Sequence, residues 1–332
     1  MAIKDTMQQP NSIPIIEDKQ RILIAPLHWG LGHATRCVPI IKELIFQGHT
    51  IIIAADGYPL QLLKMEFPQL EYIEFPSFSV KYTDANFQAG RLMLSLPRIL
   101  FGIWREHRQL QVYIGQYCIS HVISDNRFGL WTRLIPCTYI THQLMVKMPK
   151  RLRFFEPLGW LIHRFFISRY SACWIPDEAE NGGLSGDLAH KYPLPKNARF
   201  IGCQSRFSCT EDIIPTETYD TVVVVSGPEP QRSIFEKEWI EKLEGKFESV
   251  LIVRGLPEKE TVREQRINIS LVSHLSTPEL KAQLLAARKI ICRSGYSSIM
   301  DLHVLHRKAL MTPTPGQTEQ EYLANYIDKK SG

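Results

Sequence analysis

The order of apolar and polar positions along the chain predicts two successive series of strands and helices. Short apolar runs alternate with stretches whose apolar positions recur at helical spacing. In the first series the predicted strands are 21–26, 50–55, 70–75, 121–124, 137–141 and 172–175, and the predicted helices are 34–47, 58–66 and 91–117. Strands that alternate with helices in this way predict a parallel, doubly wound α/β sheet.

A second series begins further along the chain. Its predicted strands are 221–225, 249–253, 267–272, 289–292 and 309–311, with helices at 230–243 and 296–305. The segment between the two series holds several Pro and Gly residues and shows no sustained period, apart from one predicted strand at 199–202. We therefore predict a flexible arm (1–20), a first Rossmann-like domain (21–176), a linker (177–218) and a second Rossmann-like domain (219–332).

The composition agrees with a globular protein of two domains. The chain has 332 residues, of which 44% are hydrophobic and 22% are charged. It contains no apolar run of membrane-spanning length. The seven Cys form no CxxC pair, so we expect reduced thiols in the cytoplasm and no zinc site.

Two strand–turn–helix units near the end of the chain carry polar groups suited to phosphate binding. The run 289–292 stops at Arg293-Ser294-Gly295, and a helical pattern follows. The run 309–311 leads to a second helix that begins near Glu319-Gln320. Free N–H groups and the helix dipole at such N-termini attract anions.

This stretch resembles the donor-binding segment of GT-B glycosyltransferases and is most similar to the family 28 type, which includes the N-acetylglucosaminyltransferase that completes the peptidoglycan precursor. The resemblance implies two Rossmann-like domains facing across a cleft, with the nucleotide sugar on the second domain. It implies that Asp301 binds the ribose and that Glu319-Gln320 bind the donor sugar, although the family usually has two Gln. The other donor-binding residues that it implies or suggests are Ser226, Gly227, Arg254, His274, Arg293, Ser294, Gly295 and Ser297.

The first loop, 28–33, has two interpretations. As a dinucleotide fingerprint it is incomplete, because the third glycine is missing. As a glycosyltransferase loop it matches the family at Gly32-His33, which implies that Gly30 and Gly32 let the backbone approach an acceptor. His33 would then be the general base, since its unperturbed pKa lies near neutrality. It would alternatively cap the helix or bind the acceptor, and His28 is the competing base.

Polar residues also follow two other strands of the first series. Asp125 ends one strand, where it would orient His33, hold an acceptor hydroxyl or cap a helix. His142 and Gln143 end the next strand, and we expect one or both of them to line the acceptor cleft.

Residues 145–170 combine six Lys/Arg with one Glu and several large aromatic residues. This combination is typical of a contact with the headgroups of an anionic membrane, which suits a lipid-linked acceptor. The alternative is an interdomain or oligomer surface. Nucleic-acid binding is not expected, because the basic patch is confined and no RNA motif is present.

These observations predict a glycosyltransferase that moves a sugar from a nucleotide-diphosphate sugar, with a UDP-sugar favoured, to an acceptor hydroxyl. No cofactor and no metal are expected, because Asp-x-Asp is absent. The resemblance implies inversion, and the protein would be cytoplasmic or peripheral on the inner face of the membrane. The alternatives are a nucleotide-sugar 2-epimerase of the same fold and a non-catalytic nucleotide-sugar-binding protein. Relatives continue past the helix that carries Gln320, so we expect 219–332 to be a truncated or short form of its domain.

Overall fold

The computed structural model describes residues 12–16, 18–77, 88–257 and 261–331. Most of the predicted arm lies outside these residues, as does Gly332. The first sheet contains seven parallel strands in the order β3-β2-β1-β4-β5-β6-β7. These strands are β1 (Arg21–Pro26), β2 (Thr50–Ala55), β3 (Glu71–Glu74), β4 (His121–Asp125), β5 (Cys137–Ile140), β6 (Ala172–Ile175) and β7 (Ala198–Phe200).

The three helices that the sequence predicts in this half are present, and two further helices were not predicted. The helices of this half are α1 (Gly32–Phe46), α2 (Gly57–Glu66), α3 (Gln88–Gln116), α4 (Glu156–Ile167) and the short α5 (Asp187–His190). A 3-10 turn (Lys150–Phe155) leads into α4. Among the described helices, none is long and apolar enough to cross a membrane.

The second sheet has six strands in the order β10-β11-β9-β8-β12-β13. All neighbours are parallel except β10 and β11. The strands are β8 (Thr221–Val224), β9 (Val250–Val253), β10 (Arg263–Gln265), β11 (Ile269–Val272), β12 (Lys289–Cys292) and β13 (Leu310–Met311). The helices are α6 (Gln231–Leu243), α7 (Thr277–Ala286), α8 (Tyr296–Val304) and α9 (Thr318–Ser331).

Both sheets have apolar cores on their two faces. On β1, Ile22 and Ile24 face one cluster with the apolar side of α1, and Leu23 faces the other. Strands buried on both faces read as continuous apolar runs, which is why they were readable in the sequence. The α/β class and the two parallel sheets that we predicted are confirmed.

Part of the segment that we predicted as linker belongs to the first sheet. β7 pairs with β6, with Cys173 opposite Ala198. The first sheet therefore extends to Phe200, and the domain boundaries stay a prediction.

The last helix crosses back onto the first half of the protein. On α9, the Tyr322 hydroxyl accepts a hydrogen bond of 2.7 Å from the backbone N–H of Asp187, and the Tyr326 hydroxyl donates to the carbonyl oxygens of Gly182 and Gly183. A Cβ on Gly186 would lie 2.3 Å from the Tyr322 hydroxyl, so the glycine permits this close packing. We refer to residues 182–186 as the glycine loop.

Candidate functional site

The strand orders place four loops at the two switch points of the sheets. In the first sheet β1 and β4 are neighbours, but the chain continues to β2 on one side and to β5 on the other, so the loops after Pro26 and Asp125 share one crevice. In the second sheet the same holds for the turns after β8 and β12. These are the loops in which the sequence placed most of the candidate residues.

His33, Asp125 and Arg36 form the centre of the first crevice. His33 and Arg36 lie on neighbouring positions of one face of α1, and Asp125 ends β4. The Asp125 Oδ1 atom lies 3.2 Å from His33 Nδ1. Arg36 binds the same carboxylate through Nε, at 2.7 Å from Oδ2, and through Nη2 on Oδ1. Arg36 Nη2 also lies 2.8 Å from His33 Nδ1.

Burial and charge determine the ionisation of this group. Burial alone would raise the pKa of the Asp125 carboxyl, but Arg36 and His33 together outweigh this effect and hold the pKa well below its usual range. Burial lowers the pKa of His33, and Arg36 adds to this effect while Asp125 opposes it. His33 is therefore neutral at neutral pH, next to an ionised carboxylate and a cation.

The structure decides between some of the alternatives for these residues. The N-cap of α1 is Leu31, without a side-chain cap bond, so His33 does not cap the helix. The Asp125 side chain is completely buried against Arg36, so it would have to leave Arg36 to reach an acceptor hydroxyl. Of the arrangements that we considered for Asp125, the contact with His33 is the one observed.

His142 joins this group to the second half of the protein. Its Nδ1 lies 2.9 Å from Arg36 Nη1, and its Nε2 lies 2.8 Å from Glu319 Oε1 on α9. The ring stacks on Tyr296 at 4.1 Å between centroids. Burial would raise the pKa of Glu319, but His142, His33 and Arg36 together outweigh this effect and lower the pKa. Gln143 follows in the same loop, where its N–H donates to Thr141 Oγ1.

The glycine positions of the first loop touch the second half directly. A Cβ on Gly30 would lie 3.6 Å from Gly227 Cα, in the turn after β8 that also contains Ser226. The Ser297 hydroxyl donates a hydrogen bond of 2.8 Å to the carbonyl oxygen of Gly32. The predicted acceptor loop and the predicted donor turns therefore lie against each other.

The turn after β12 is held by the helix that carries Glu319. The Ser294 hydroxyl donates to the Gln320 carbonyl oxygen at 2.8 Å, and the Gln320 side-chain oxygen accepts from the Thr314 N–H. Gly295 is the N-cap of α8, and a Cβ there would meet no atom within 4 Å. The backbone at this helix N-terminus is thus open on one side.

Two of the predicted phosphate-binding arginines have other partners. Arg293 is buried over the Phe235 ring and donates to the carbonyl oxygens of Thr312, Pro313 and Gln231. Arg254 donates to Glu236 on α6 at 2.9 Å. Their contacts tie the ends of strands to neighbouring elements.

Asp301 and His274 lie beside Arg206, which was not among the predicted site residues. Asp301 Oδ1 accepts a hydrogen bond of 2.5 Å from Ser205 Oγ, and burial raises the pKa of Asp301. Burial lowers the pKa of His274 to about 4, and Arg206 adds to this effect. Arg206 is itself buried, and its Nε and Nη1 have no hydrogen-bond partner among the described residues. A buried cation with free donors is suited to bind an anion.

His28, the competing base, forms a separate pair. Its Nδ1 lies 3.0 Å from Asp56 Oδ1 and 3.0 Å from the Asp56 carbonyl oxygen. The hydrogen bond to Asp56 raises the pKa of His28, and the side chain is 35% exposed. Two histidine–carboxylate pairs thus lie at the same edge of the first sheet.

Comparisons with known proteins find similarity to glycosyltransferases. Residues 221–332 match the model of the glycosyltransferase family 28 C-terminal domain. An uncharacterized glycosyltransferase of Methanosarcina acetivorans is 23% identical over 179 residues, which is 53% of this chain and 43% of that protein. The chain therefore spans less than half the length of this relative.

Solved structures share the fold over nearly the whole chain. The spinosyn rhamnosyltransferase SpnG complexed with thymidine diphosphate has a TM-score of 0.57 and 16% identity, over 93% of this chain and 85% of that chain. The calicheamicin glycosyltransferase CalG4 has a TM-score of 0.57 and 11% identity, over 94% of this chain and 83% of that chain.

The fold is that of the GT-B glycosyltransferases. Within this class, residues 221–332 match the family 28 C-terminal domain, which confirms the resemblance that the sequence showed.

Proposed function

We propose that the protein transfers a sugar from a nucleotide-diphosphate sugar to an acceptor hydroxyl. The observation that carries this proposal is the contact between the loop of His33 and the turns of the family 28 domain. The carbonyl oxygen of Gly32 accepts from Ser297, so the histidine next in sequence stands where the two switch points meet. A base at this junction lies between an acceptor bound on the first half and a donor bound on the second.

The second half supplies the groups that a nucleotide diphosphate needs. Gly227 and Gly295 leave backbone open at two turns, since a Cβ at either would meet no atom within 4 Å. Arg206 offers guanidinium N–H groups beside Asp301, whose carboxylate is suited to a ribose hydroxyl. Such preorganised donors stabilise the charge of a leaving diphosphate. We expect a UDP-sugar donor, inversion at the sugar carbon and turnover without a divalent metal.

The epimerase alternative requires a carboxylate that exchanges protons in the cleft. Asp125 was the candidate, and it is buried and held ionised by Arg36. This arrangement favours transfer over epimerisation. A non-catalytic binding protein would bind the donor and show no turnover.

We further propose that the acceptor is lipid-linked. The 3-10 turn and α4 expose Phe154, Phe155, Leu158, Leu161, Ile162 and Phe165. On α3, Leu100, Phe101 and Trp104 are also exposed, and Arg169 stacks on both Phe165 and Trp131. We call these exposed side chains the apolar face. Lys147, one of the basic residues we counted toward the membrane, is instead buried and paired with Asp187.

One experiment tests the central proposal. The protein is incubated with a panel of UDP- and TDP-sugars, thermal shift reports binding, and release of the nucleoside diphosphate with candidate acceptors reports turnover. A ligand at about 100 times its Kd stabilises the folded state by about 2.7 kcal/mol. Binding with acceptor-dependent release supports the proposal. Conversion of the donor to its 2-epimer supports the epimerase, and binding without turnover of any pair supports the binding protein.

A further inference from the structure

Arg36 uses four of its N–H groups within the site. Two go to the Asp125 carboxylate, one to His33 Nδ1 and one to His142 Nδ1. The side chain is 2% exposed, and Asp125 raises its pKa further above its already high value, so the guanidinium is always charged. No other described side chain bonds to both histidines.

A guanidinium donates hydrogen bonds and accepts none. An imidazole nitrogen that receives such a bond must hold a lone pair. His33 Nδ1 and His142 Nδ1 are therefore both unprotonated, and each neutral ring carries its proton on Nε2. For His142 this agrees with its second contact, because Nε2 can then donate to Glu319 Oε1.

We infer that Arg36 is a positioning residue that sets the tautomers of His33 and His142 and so couples the His33–Asp125 pair to Glu319. Its catalytic consequence rests on the proposed function. To accept a proton at Nε2, His33 must first carry its own proton on Nδ1, facing Asp125 Oδ1 at 3.2 Å. Arg36 lies closer to that Nδ1, at 2.8 Å, so it controls when His33 can act as a base.

The tautomers can be measured without any substrate. Protein labelled with ¹⁵N in its histidines gives long-range ¹H–¹⁵N correlations that distinguish the two neutral tautomers, and His33→Gln and His142→Gln assign the signals. We expect both rings to carry the proton on Nε2 in the parent at neutral pH. In Arg36→Met, His33 should change to the Nδ1–H form, because Asp125 becomes the only partner of that nitrogen.

Arg36→Lys is the matched variant if Arg36→Met fails to fold. It keeps the positive charge on Asp125, but one ammonium group cannot reproduce the planar fork. At least one of the two histidine signals should then change its tautomer. The inference is overturned if His33 carries its proton on Nδ1 in the parent, or if both signals stay the same in a folded Arg36 variant.

Kinetics supply a second readout once a donor and an acceptor are known. The charged and titratable groups facing His33 are Asp125, Arg36, His142 and Glu319. Removing the cation in Arg36→Met should raise the pKa of His33 and move the acid limb of kcat/KM to higher pH.

Arg36→Lys should leave this limb in place but lower kcat by about 10²-fold, the cost of a misplaced catalytic group. An unmoved limb in a folded, active Arg36→Met would contradict the coupling. If no turnover is found, the proposed function fails while the tautomer measurement still decides this inference.

Discussion

His142 and Glu319 are separated by 177 positions and share a hydrogen bond of 2.8 Å. His142 lies in the loop after β5 of the first sheet, and Glu319 lies in the first turn of α9, within the part of the chain that matches the family 28 domain. Glu319 was the position at which the sequence departs from the Gln pair of the family, and the structure shows what the carboxylate contacts. The bond joins the group of His33, Arg36 and Asp125 in one half to the predicted sugar-binding helix of the other.

The first prediction concerns the donor diphosphate. Arg206→Met should weaken binding of UDP by about tenfold to a hundredfold, since hydrogen bonds to charged groups contribute about 1.5–3 kcal/mol. Arg254→Met is the matched control, because Arg254 already donates to Glu236. Titration calorimetry measures both. If both variants lose the same UDP affinity, the loss is not specific to Arg206 and the assignment of Arg206 to the diphosphate site is contradicted.

The second prediction concerns stability and pH. Asp125→Asn should lower the free energy of unfolding at pH 7 by about 3–5 kcal/mol, because Arg36 is left buried without its counter-charge. The native pKa of Asp125 is depressed, so this contribution is present above about 3.9, the pKa of an unfolded Asp, and is lost as the pH falls further.

Asp301→Asn is the control for that experiment. Burial raises the pKa of Asp301, so its ionised form costs stability at neutral pH and the amide should cause no comparable loss. Urea unfolding at pH 7 and at about pH 3 measures both variants. A difference between parent and Asp125→Asn that does not shrink at low pH would contradict the assignment of the charge pair.

The third prediction concerns the general base. His33→Ala should lower kcat by about 10²–10⁴ with donor affinity unchanged, and His28→Ala should retain most of the activity. The lowered pKa of His33 predicts that kcat/KM declines only below about pH 6.5, the ordinary value for histidine. An acid limb above that value, together with an inactive His28→Ala, would move the role to His28, whose pKa is raised.

The fourth prediction concerns the apolar face. Phe154→Ser with Phe165→Ser should reduce co-sedimentation with anionic vesicles, since both rings are exposed there. Phe247→Ser removes a fully exposed ring from the second half and should have no effect. Binding should weaken with salt, because the Debye length is about 8 Å at physiological ionic strength. If the parent protein does not bind anionic vesicles at low salt, the apolar face is a packing surface and not a membrane contact.

The fifth prediction concerns metal dependence. Once a donor and an acceptor are known, the rate in excess EDTA should equal the rate in Mg²⁺, because buried arginine and helix N-termini would offset the leaving-group charge. Activity that is lost in EDTA and restored by Mg²⁺ or Mn²⁺ would contradict this part of the proposal.

Much of the fold could be predicted because buried parallel strands leave a strong signal. β1 and β12 match their predicted bounds at both ends, and each is a continuous apolar run that stops at polar or glycine-containing turns. β10 was missed because all three of its residues are exposed and polar. α7 was also missed, although Ser276 and Glu279 form a capping box, which is a sequence signal for the N-terminus of a helix.

The site was predictable where it lies at strand ends and less so elsewhere. His33 and Asp125 end up together because β1 and β4 are neighbours, a pairing that the doubly wound pattern favours. Arg36 was overlooked, although its position one turn after His33 puts both on one face of α1. Arg206 left no signal, because it lies in a short 3-10 helix between the two sheets and comes near Asp301 only through the tertiary fold.

The final helix packs on the glycine loop of the first half, although it follows the second sheet in the chain. α9 follows the second sheet in the chain, yet the hydroxyl groups of Tyr322 and Tyr326 bind backbone of the first half. Severing the chain between the two sheets would therefore not release two self-sufficient pieces. The first piece would keep the glycine loop but lose the helix that packs on it, and the second would expose Tyr322 and Tyr326 without their backbone partners.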